Sequence, residues 1–406
     1  MFCLVVGITL NQAYSAAVAQ GISWINGQML TFDGGTYGIY ERIRIDEHLR
    51  TCWVRPDCNT EYLRVLQMQK KRTGSDEFDS LAEKILRWLI KTQDTSPTSI
   101  WKGAFPFYVI DGTIRGLANS EAVYQNDNGK ILNALCQMYE NNPDPRFLTI
   151  ARPLADYWCS RQRESGLFGM DDSRCVNRVA EGPCFILWPA IGLFRLWKLT
   201  KEECYYHCAE KAMTALEQHI LPNGRCRTTY EVMHGEDWRP VSSETAMAFY
   251  AFGTAYEVTG SDHYRELTER SGAFLLQLQH ESGAILNCNE SCMDCALQTN
   301  PDLADLVYTQ GFALQAFNQF YRLTKDPKWH QAAVKLADFL VSIQCSGEFP
   351  LWDGGWRGSY NVKTHAWDGR ANQNNQIDEG GMYSVYTGWC CTNILYGLQE
   401  LLETEE

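Results

Sequence analysis

Six times in 406 residues, a charged amphipathic stretch of helical periodicity is followed by a long aromatic-rich loop and then by a nearly uncharged helical stretch. The charged members begin near Asn11, Ser75, Pro143, Lys201, Ser261 and Lys325. Three share a visible pattern, Asp-Pro-Arg-Phe-Leu-Thr-Ile-Ala at 144–151, Ser-Asp-His-Tyr-Arg-Glu-Leu-Thr at 261–268 and Asp-Pro-Lys-Trp-His-Gln-Ala-Ala at 326–333. Five close on an apolar phrase ending in glutamine, at Gln93, Gln162, Gln218, Gln279 and Gln344. A self-similar period of roughly 60–65 residues marks stacked supersecondary units. Twelve helices in six hairpins outline an all-α fold, an (α/α)6 toroid.

The repeat runs from about residue 10 to about residue 403 without a linker, low-complexity tract or charge block, so residues 1–406 read as one domain. Hydrophobic content of 45% supplies a large core. A net charge of −13 argues against nucleic acid, whose phosphates demand a basic footprint. The longest uncharged apolar run, Cys184 to Phe194, contains Pro189 and is too short to span a bilayer, so no membrane partner is expected. The N-terminus is apolar, but its first basic residue is Arg42, whereas a secretory signal starts positive. The stretch from Asn11 to Asn26 also fills the first outer-helix slot. A cytoplasmic protein is expected, with a periplasmic or secreted one as the alternative. The sixteen cysteines, among them Cys136, Cys159, Cys184, Cys204, Cys208, Cys390 and Cys391, read mostly as small buried hydrophobes in a reducing compartment.

The charged helices carry start signals. Asp144-Pro145 and Asp326-Pro327 are aspartate N-caps with proline at the first helical position, and Thr200-Lys-Glu-Glu203 reads as a capping box. Thr245–Tyr256, Tyr308–Tyr321 and Val385–Gln399 hold no charged residue, as expected of helices buried on most sides. These belong to the inner ring. Links from inner to outer helix are short: 73–74, 141–142, 199–200, 259–260 and 324. Links from outer to inner helix are long: 27–56, 94–125, 163–180, 221–242, 281–303 and 345–384. All long loops therefore share one end, where the inner helices begin, and long loops in a compact domain are commonly functional.

Carboxylates cluster at those starts: Asp57, Asp127, Glu181, Glu244, Asp378 and Glu379. One acid at a helix start is ordinarily a cap or dipole partner. Six starts converging on one cavity would place several within reach of one ligand, as a two-carboxylate glycosidase requires. Asp127 and Glu379 rank first, followed by Asp378, Glu244 and Asp57. Aromatic and cationic loop residues supply the candidate substrate contacts: Trp53, Arg55, Trp101, Tyr124, His234, Trp238, Arg239, Trp356, Arg357, His365, Tyr383 and Trp389. Flat rings with polar rims suit sugars. The loop arginines, which also include Arg42, Arg44, Arg115, Arg174, Arg178, Arg227 and Arg370, point to an anionic sugar such as a uronic acid. Cys288, Cys292 and Cys295 share a loop, but their spacing matches no common zinc site and no partner pair follows. Neither a metal nor another cofactor is expected, and the sequence leaves the oligomeric state open.

The six-hairpin layout, the acid-plus-amide opening Asp127-Asn128-Gly129 and the aromatic loops resemble the six-hairpin glycosidase superfamily. Within it, the likeness is to the unsaturated glucuronyl hydrolases of glycoside hydrolase family 88, the unsaturated rhamnogalacturonyl hydrolases of family 105 and the β-glucuronidases of family 154. The resemblance implies a glycoside hydrolase that removes a uronic-type sugar from an oligosaccharide, with Asp57 and Asp127 at places comparable to the catalytic aspartates of families 88 and 105. The N-acyl-glucosamine epimerases share the toroid and use two histidines, for which His234 and His365 are the loop candidates. A polysaccharide lyase or sugar epimerase is one alternative, and a non-catalytic carbohydrate-binding toroid is another.

Overall fold

In the computed structural model, residues 10–31, 38–110, 123–168, 181–234, 241–287, 301–369 and 381–405 are described. Their helices, in chain order, are α1 (Leu10–Trp24), α2 (Pro56–Thr73), α3 (Asp79–Thr92), α4 (Gln125–Asn141), α5 (Pro145–Cys159), α6 (Pro183–Thr200), α7 (Glu203–Glu217), the short α8 (Thr229–His234), α9 (Val241–Thr259), α10 (Asp262–Leu278), α11 (Gly311–Thr324), α12 (Pro327–Ser342) and α13 (Asn393–Glu405). Helices α2, α4, α6, α9, α11 and α13 form an inner ring that closes because α13 packs back on α2. The other long helices are outer partners, each with an exposed face. This is the (α/α)6 toroid expected from the repeat. The first outer slot is filled as foreseen: Tyr14 of α1 donates to Asp338 Oδ1 at 2.7 Å and the Trp24 indole to the Leu351 carbonyl at 2.8 Å.

Four of the five short links follow one design, the exception being that after α4, which ends on Asn141. An inner helix ends on a threonine whose hydroxyl donates four residues back and accepts the amide two residues on. Thr259 bonds the Ala255 carbonyl at 2.7 Å and receives the Ser261 amide at 3.2 Å; Thr324 does the same with Phe320 and Asp326. Thr200 belongs to this set, closing α6 through the Leu196 carbonyl and the Glu202 amide. The capping box expected at Thr200–Glu203 is therefore not formed. Its hydroxyl is committed to the preceding helix, and Glu202 is the N-cap of α7 without a side-chain bond. The aspartate caps are as expected: Asp144 accepts the Arg146 amide and Asp326 the Lys328 amide.

The repeated glutamine joins one hairpin to the next. Gln93, Gln162, Gln279 and Gln344 each donate to a carbonyl in the loop just beyond and to a carbonyl of the following outer helix, α1 following α12 around the ring. For Gln279 these are Gly283 at 3.1 Å and Ala332 at 2.9 Å. The loop glycine presses on the neighbouring helix: a Cβ at Gly283 (φ +97°) would lie 1.9 Å from the Lys335 carbonyl oxygen. Gln218 departs from the pattern, being exposed at the end of α7. At that junction Arg270 reaches back from α10 to the carbonyls of Leu221 and Pro222.

The inner ring is not apolar toward its own axis, contrary to the reading of the uncharged stretches. Gln315, Asn318, Gln319, Asn393 and Gln399 are buried and bond across the ring, as do the buried charges Glu61, Arg64, Lys130 and Arg195. Six helices meeting around one axis leave a column that packed aliphatic side chains do not fill, and the polar groups there satisfy one another. At the C-terminal ends of the inner helices, Lys198 bridges Glu140 and Glu257 at 3.0 and 3.2 Å, Arg322 meets Glu400 at 3.1 Å, and Lys71 meets Glu403 at 2.7 Å. Burial raises the Glu257 carboxyl, but Arg195 and Lys198 outweigh it and hold the group at about 2.

Candidate active site

The long loops lie at the opposite end and pair with one another as short strands: β1 (Arg42–Arg44), β2 (Leu49–Arg50), β3 (Trp53–Val54), β4 (Val109–Ile110), β5 (Leu303–Asp305), β6 (Ser359–Asn361), β7 (Ala366–Trp367) and β8 (Ser384–Tyr386). Strand β1 runs antiparallel to β8, joining the first loop to the last, with Ile43 opposite Val385. Loops are pinned to the inner helices by side-chain amides at the helix starts. Asn59 exchanges hydrogen bonds with both backbone groups of Ile39, Asn128 with those of Phe105, and Gln310 with those of Ile285. The amide beside Asp127 is thus a loop anchor.

Arg55, just before α2, gathers the carboxylates. Its Nη1 lies 2.8 Å from Glu41 Oε1, its Nε 3.1 Å from Asp57 Oδ1, and its Nη2 both 3.0 Å from Asp57 Oδ2 and 2.7 Å from Asp127 Oδ2. All four residues are buried. Two oxygens sharing one nitrogen at 3.0 and 2.7 Å cannot be more than about 5.7 Å apart, so the guanidinium bridges the two carboxylates. Asp57 has both oxygens engaged, since Oδ2 also accepts the Trp389 indole N–H at 2.8 Å. Burial alone would raise the Asp57 carboxyl; Arg55, Lys130 and the Trp389 hydrogen bond overcome it and keep Asp57 ionised below the usual carboxylate range. Three formal negative charges face one guanidinium, leaving a surplus of two.

Glu244 begins α9 and accepts the Thr229 amide at 3.0 Å and the Ser243 hydroxyl at 2.6 Å. Cys184, in the first turn of α6, feels both this carboxylate and Asp127: its thiol is pushed well above the usual range by desolvation, then by Glu244 and Asp127. The starts of α2 and α4 thus meet at Arg55, and those of α6 and α9 are joined through Thr229, whose hydroxyl accepts the Cys184 amide at 3.3 Å. The wall beside them is aromatic. Trp53 stacks on Tyr108 at 4.6 Å, Phe107 lies 4.5 Å from Tyr124, and Arg55 sits 4.5 Å over Phe107; all four rings are half-buried.

Other expected contacts fall elsewhere. Trp356 has no exposed surface and donates to the Leu340 carbonyl, so it is a core residue and stacks on no ligand. Trp101 is buried in its loop. Arg357 is paired with Glu348 under Trp352 and Trp367. His365 is exposed at the turn between β6 and β7 at φ +53°, and Tyr383 is exposed beside β8. Asp378, Glu379, Trp238, Arg239 and the cysteines at 288, 292 and 295 lie outside the described residues, as does the His234 side chain. Of the helix cysteines, Cys136, Cys208, Cys390 and Cys391 are buried, whereas Cys204 is exposed. Sequence reasoning missed Glu41, Glu61, Lys130, Phe107 and Tyr108 as site residues. Lys130 and Glu61 left a signal, each standing one helical turn after a first-turn aspartate, Asp127 and Asp57, on the same face.

No family model and no curated protein matches the sequence. Solved structures do match. A sugar epimerase from a ruminal bacterium superposes with a TM-score of 0.73 at 13% identity, covering 98% of this chain and all of that one. The GH76 α-mannanase BT2949 of Bacteroides thetaiotaomicron superposes at 0.66 and 14% identity, over 97% and 96%. An unsaturated glucuronyl hydrolase specific for heparin superposes at 0.63 and 12% identity, over 97% and 96%. Among the described residues, no helix is long and apolar enough to cross a membrane. The likeness is one of fold, and that fold is the (α/α)6 toroid.

Proposed function

We propose that the protein is a glycoside hydrolase that removes a terminal sugar from an oligosaccharide. The observation that carries this reading is the meeting of Asp57 and Asp127, at the starts of two inner helices, with Glu41 on the single cation Arg55, so that carboxylate exceeds cation there. Glycosidic cleavage builds positive charge on the anomeric carbon, and surplus negative charge stabilises that transition state. The same surplus opposes an enolate, the intermediate of lyase or epimerase chemistry that proceeds by carbon deprotonation. Asp127 is assigned the base or nucleophile role, with Asp57 and Arg55 positioning it. The general acid is assigned to Glu244 in the first turn of α9, with Asp378 and Glu379 of the last long loop as the other candidates in the sequence. Half-buried Tyr108 and Tyr124 supply the stacking face.

The uronic-acid substrate expected from the loop arginines draws no support from four of the described ones, Arg42, Arg44, Arg55 and Arg357. Arg55 is surrounded by its own carboxylates, Arg44 pairs with Glu47, Arg357 pairs with Glu348, and Arg42 donates to Tyr386. The sugar proposed for the carboxylate cluster is therefore one without a carboxylate. The test is product analysis on a panel of neutral, amino and uronate oligosaccharides, saturated and unsaturated. Release of a monosaccharide supports the proposal, preferentially from neutral or amino substrates. An epimer, a newly formed double bond, or binding without turnover would each replace it with one of the alternatives.

A further inference from the structure

Below the carboxylate cluster lies a second buried layer. Lys130, one turn beyond Asp127 on α4, is 1% exposed and pairs with Glu61 of α2 at 2.9 Å. Glu61 stands one turn beyond Asp57 and also accepts from Asn393 at 3.3 Å. The ammonium is caged by rings: the Trp389 centroid is 3.4 Å away, Phe312 5.5 Å and Trp188 6.0 Å. Trp389 sits in a π-helical turn, Thr387–Thr392, the irregular backbone that recurs at functional sites. Its indole N–H is the donor to Asp57 Oδ2.

A buried lysine–glutamate pair is a costly way to join two helices, because apolar residues of similar volume do so as well or better. What apolar residues cannot do is press a positive charge on an indole face. A cation there draws electron density from the ring and makes its N–H a stronger donor, and it also holds the ring in place. We propose that Lys130 is a positioning residue for the carboxylate cluster: through Trp389 it fixes and polarises the hydrogen bond to Asp57, and so keeps Asp57 ionised and Arg55 in place against Asp127. The groups facing Asp57 are Arg55 and Glu41 from the first loop, Cys58 and Glu61 of α2, Asp127 and Lys130 of α4, and Trp389 from the last hairpin. Of these, Arg55 and Lys130 are the cations that lower the Asp57 carboxyl, while burial raises it.

The inference deepens the hydrolase reading and rests on it for the cluster's role, but its test can be read without turnover. The double variant Glu61→Gln/Lys130→Met removes the charge pair together, so no buried charge is left unpaired. Carboxyl carbons of 13C-labelled aspartate are titrated by NMR in the full-length protein, with Asp57 assigned by Asp57→Asn. The expected result is a raised Asp57 midpoint in the double variant, by up to about one pH unit, because loss of the Lys130 cation is offset only in part by loss of the Glu61 charge. Trp389→Phe, which keeps the ion pair and removes the donor, raises it as well. On an oligosaccharide the wild type cleaves, the double variant loses kcat with KM little changed, and the acidic limb of its pH profile moves up by the same amount. An unmoved Asp57 midpoint in either folded variant would overturn the proposal and leave Lys130 as a helix-joining ion pair. Absence of hydrolysis by the wild type would instead count against the hydrolase reading, with the titration still deciding the role of Lys130.

Discussion

Arg55→Met is the substitution whose cost follows most directly from the geometry. Methionine keeps an apolar stem against Phe107 and removes the guanidinium that Glu41, Asp57 and Asp127 share. Removing one partner of a buried pair costs about 3–5 kcal/mol, because the remaining charge is stranded. At ~2.1 cal/mol/K per residue, a chain of this length unfolds with an entropy of about 0.85 kcal/mol/K, so a loss near 4 kcal/mol lowers Tm by about 5 °C. The pH dependence has a definite sign. In the wild type, Asp57 is depressed in the folded state, so its contribution is present above the unfolded pKa of about 3.9 and is lost as pH falls through the folded value. In the variant, Lys130 alone is left against the burial of Asp57 and its neighbours, and the folded carboxyls are expected to rise above their unfolded values. Acidification then stabilises the variant relative to the wild type. Scanning fluorimetry of both proteins between pH 7.5 and 4.5 is expected to show a gap that is widest at neutral pH and narrows toward acid. A deficit under ~1 °C at neutral pH, or one that stays constant with pH, would refute the shared-counter-ion picture.

Further outcomes follow from the hairpin junctions. Gln279→Leu deprives the carbonyls of Gly283 and Ala332 of a donor and should cost about 1–3 kcal/mol. Gln218→Leu, at an exposed position, should change stability by less than ~0.5 kcal/mol, and urea titration compares the two. Gly283→Ala, which would set a Cβ against the Lys335 carbonyl, should cost more than Gly260→Ala, where open space leaves only the ~1–2 kcal/mol of a left-handed backbone; thermal melts rank them. Cys204, exposed on α7, should react with a thiol reagent in the folded protein well before Cys136, Cys390 and Cys391, as mass spectrometry of the labelled protein will show.

The toroid was legible because a hairpin repeat leaves its period in the chain even where individual residues diverge. The placement of α1, the inner ring and the aspartate caps followed from that period. The closing glutamines were visible too, but not their purpose, since a bond to the next hairpin needs the ring already closed. Thr200 misled because Thr-x-x-Glu can start a helix, whereas here the hydroxyl had already been taken by the helix before it. At the site, Arg55, Asp57, Asp127 and Trp389 were readable as helix-start and loop residues. Glu41 was not, because it reaches Arg55 through loops that pair by β1 and β8. Lys130 and Glu61 were hidden by the expectation that inner helices are apolar all round, which fails along the axis of a ring.

Asp127 carries the central claim, and turnover of Asp127→Asn on an oligosaccharide hydrolysed by the wild type tests it most directly. The amide keeps the shape of the side chain and a carbonyl oxygen toward Arg55 while removing the negative charge. With folding verified by circular dichroism, kcat is predicted to fall by at least about 10²-fold, the least expected for losing a positioned acid–base or nucleophilic group. Near-wild-type kcat in the folded variant would contradict the account and place the chemistry elsewhere in the toroid.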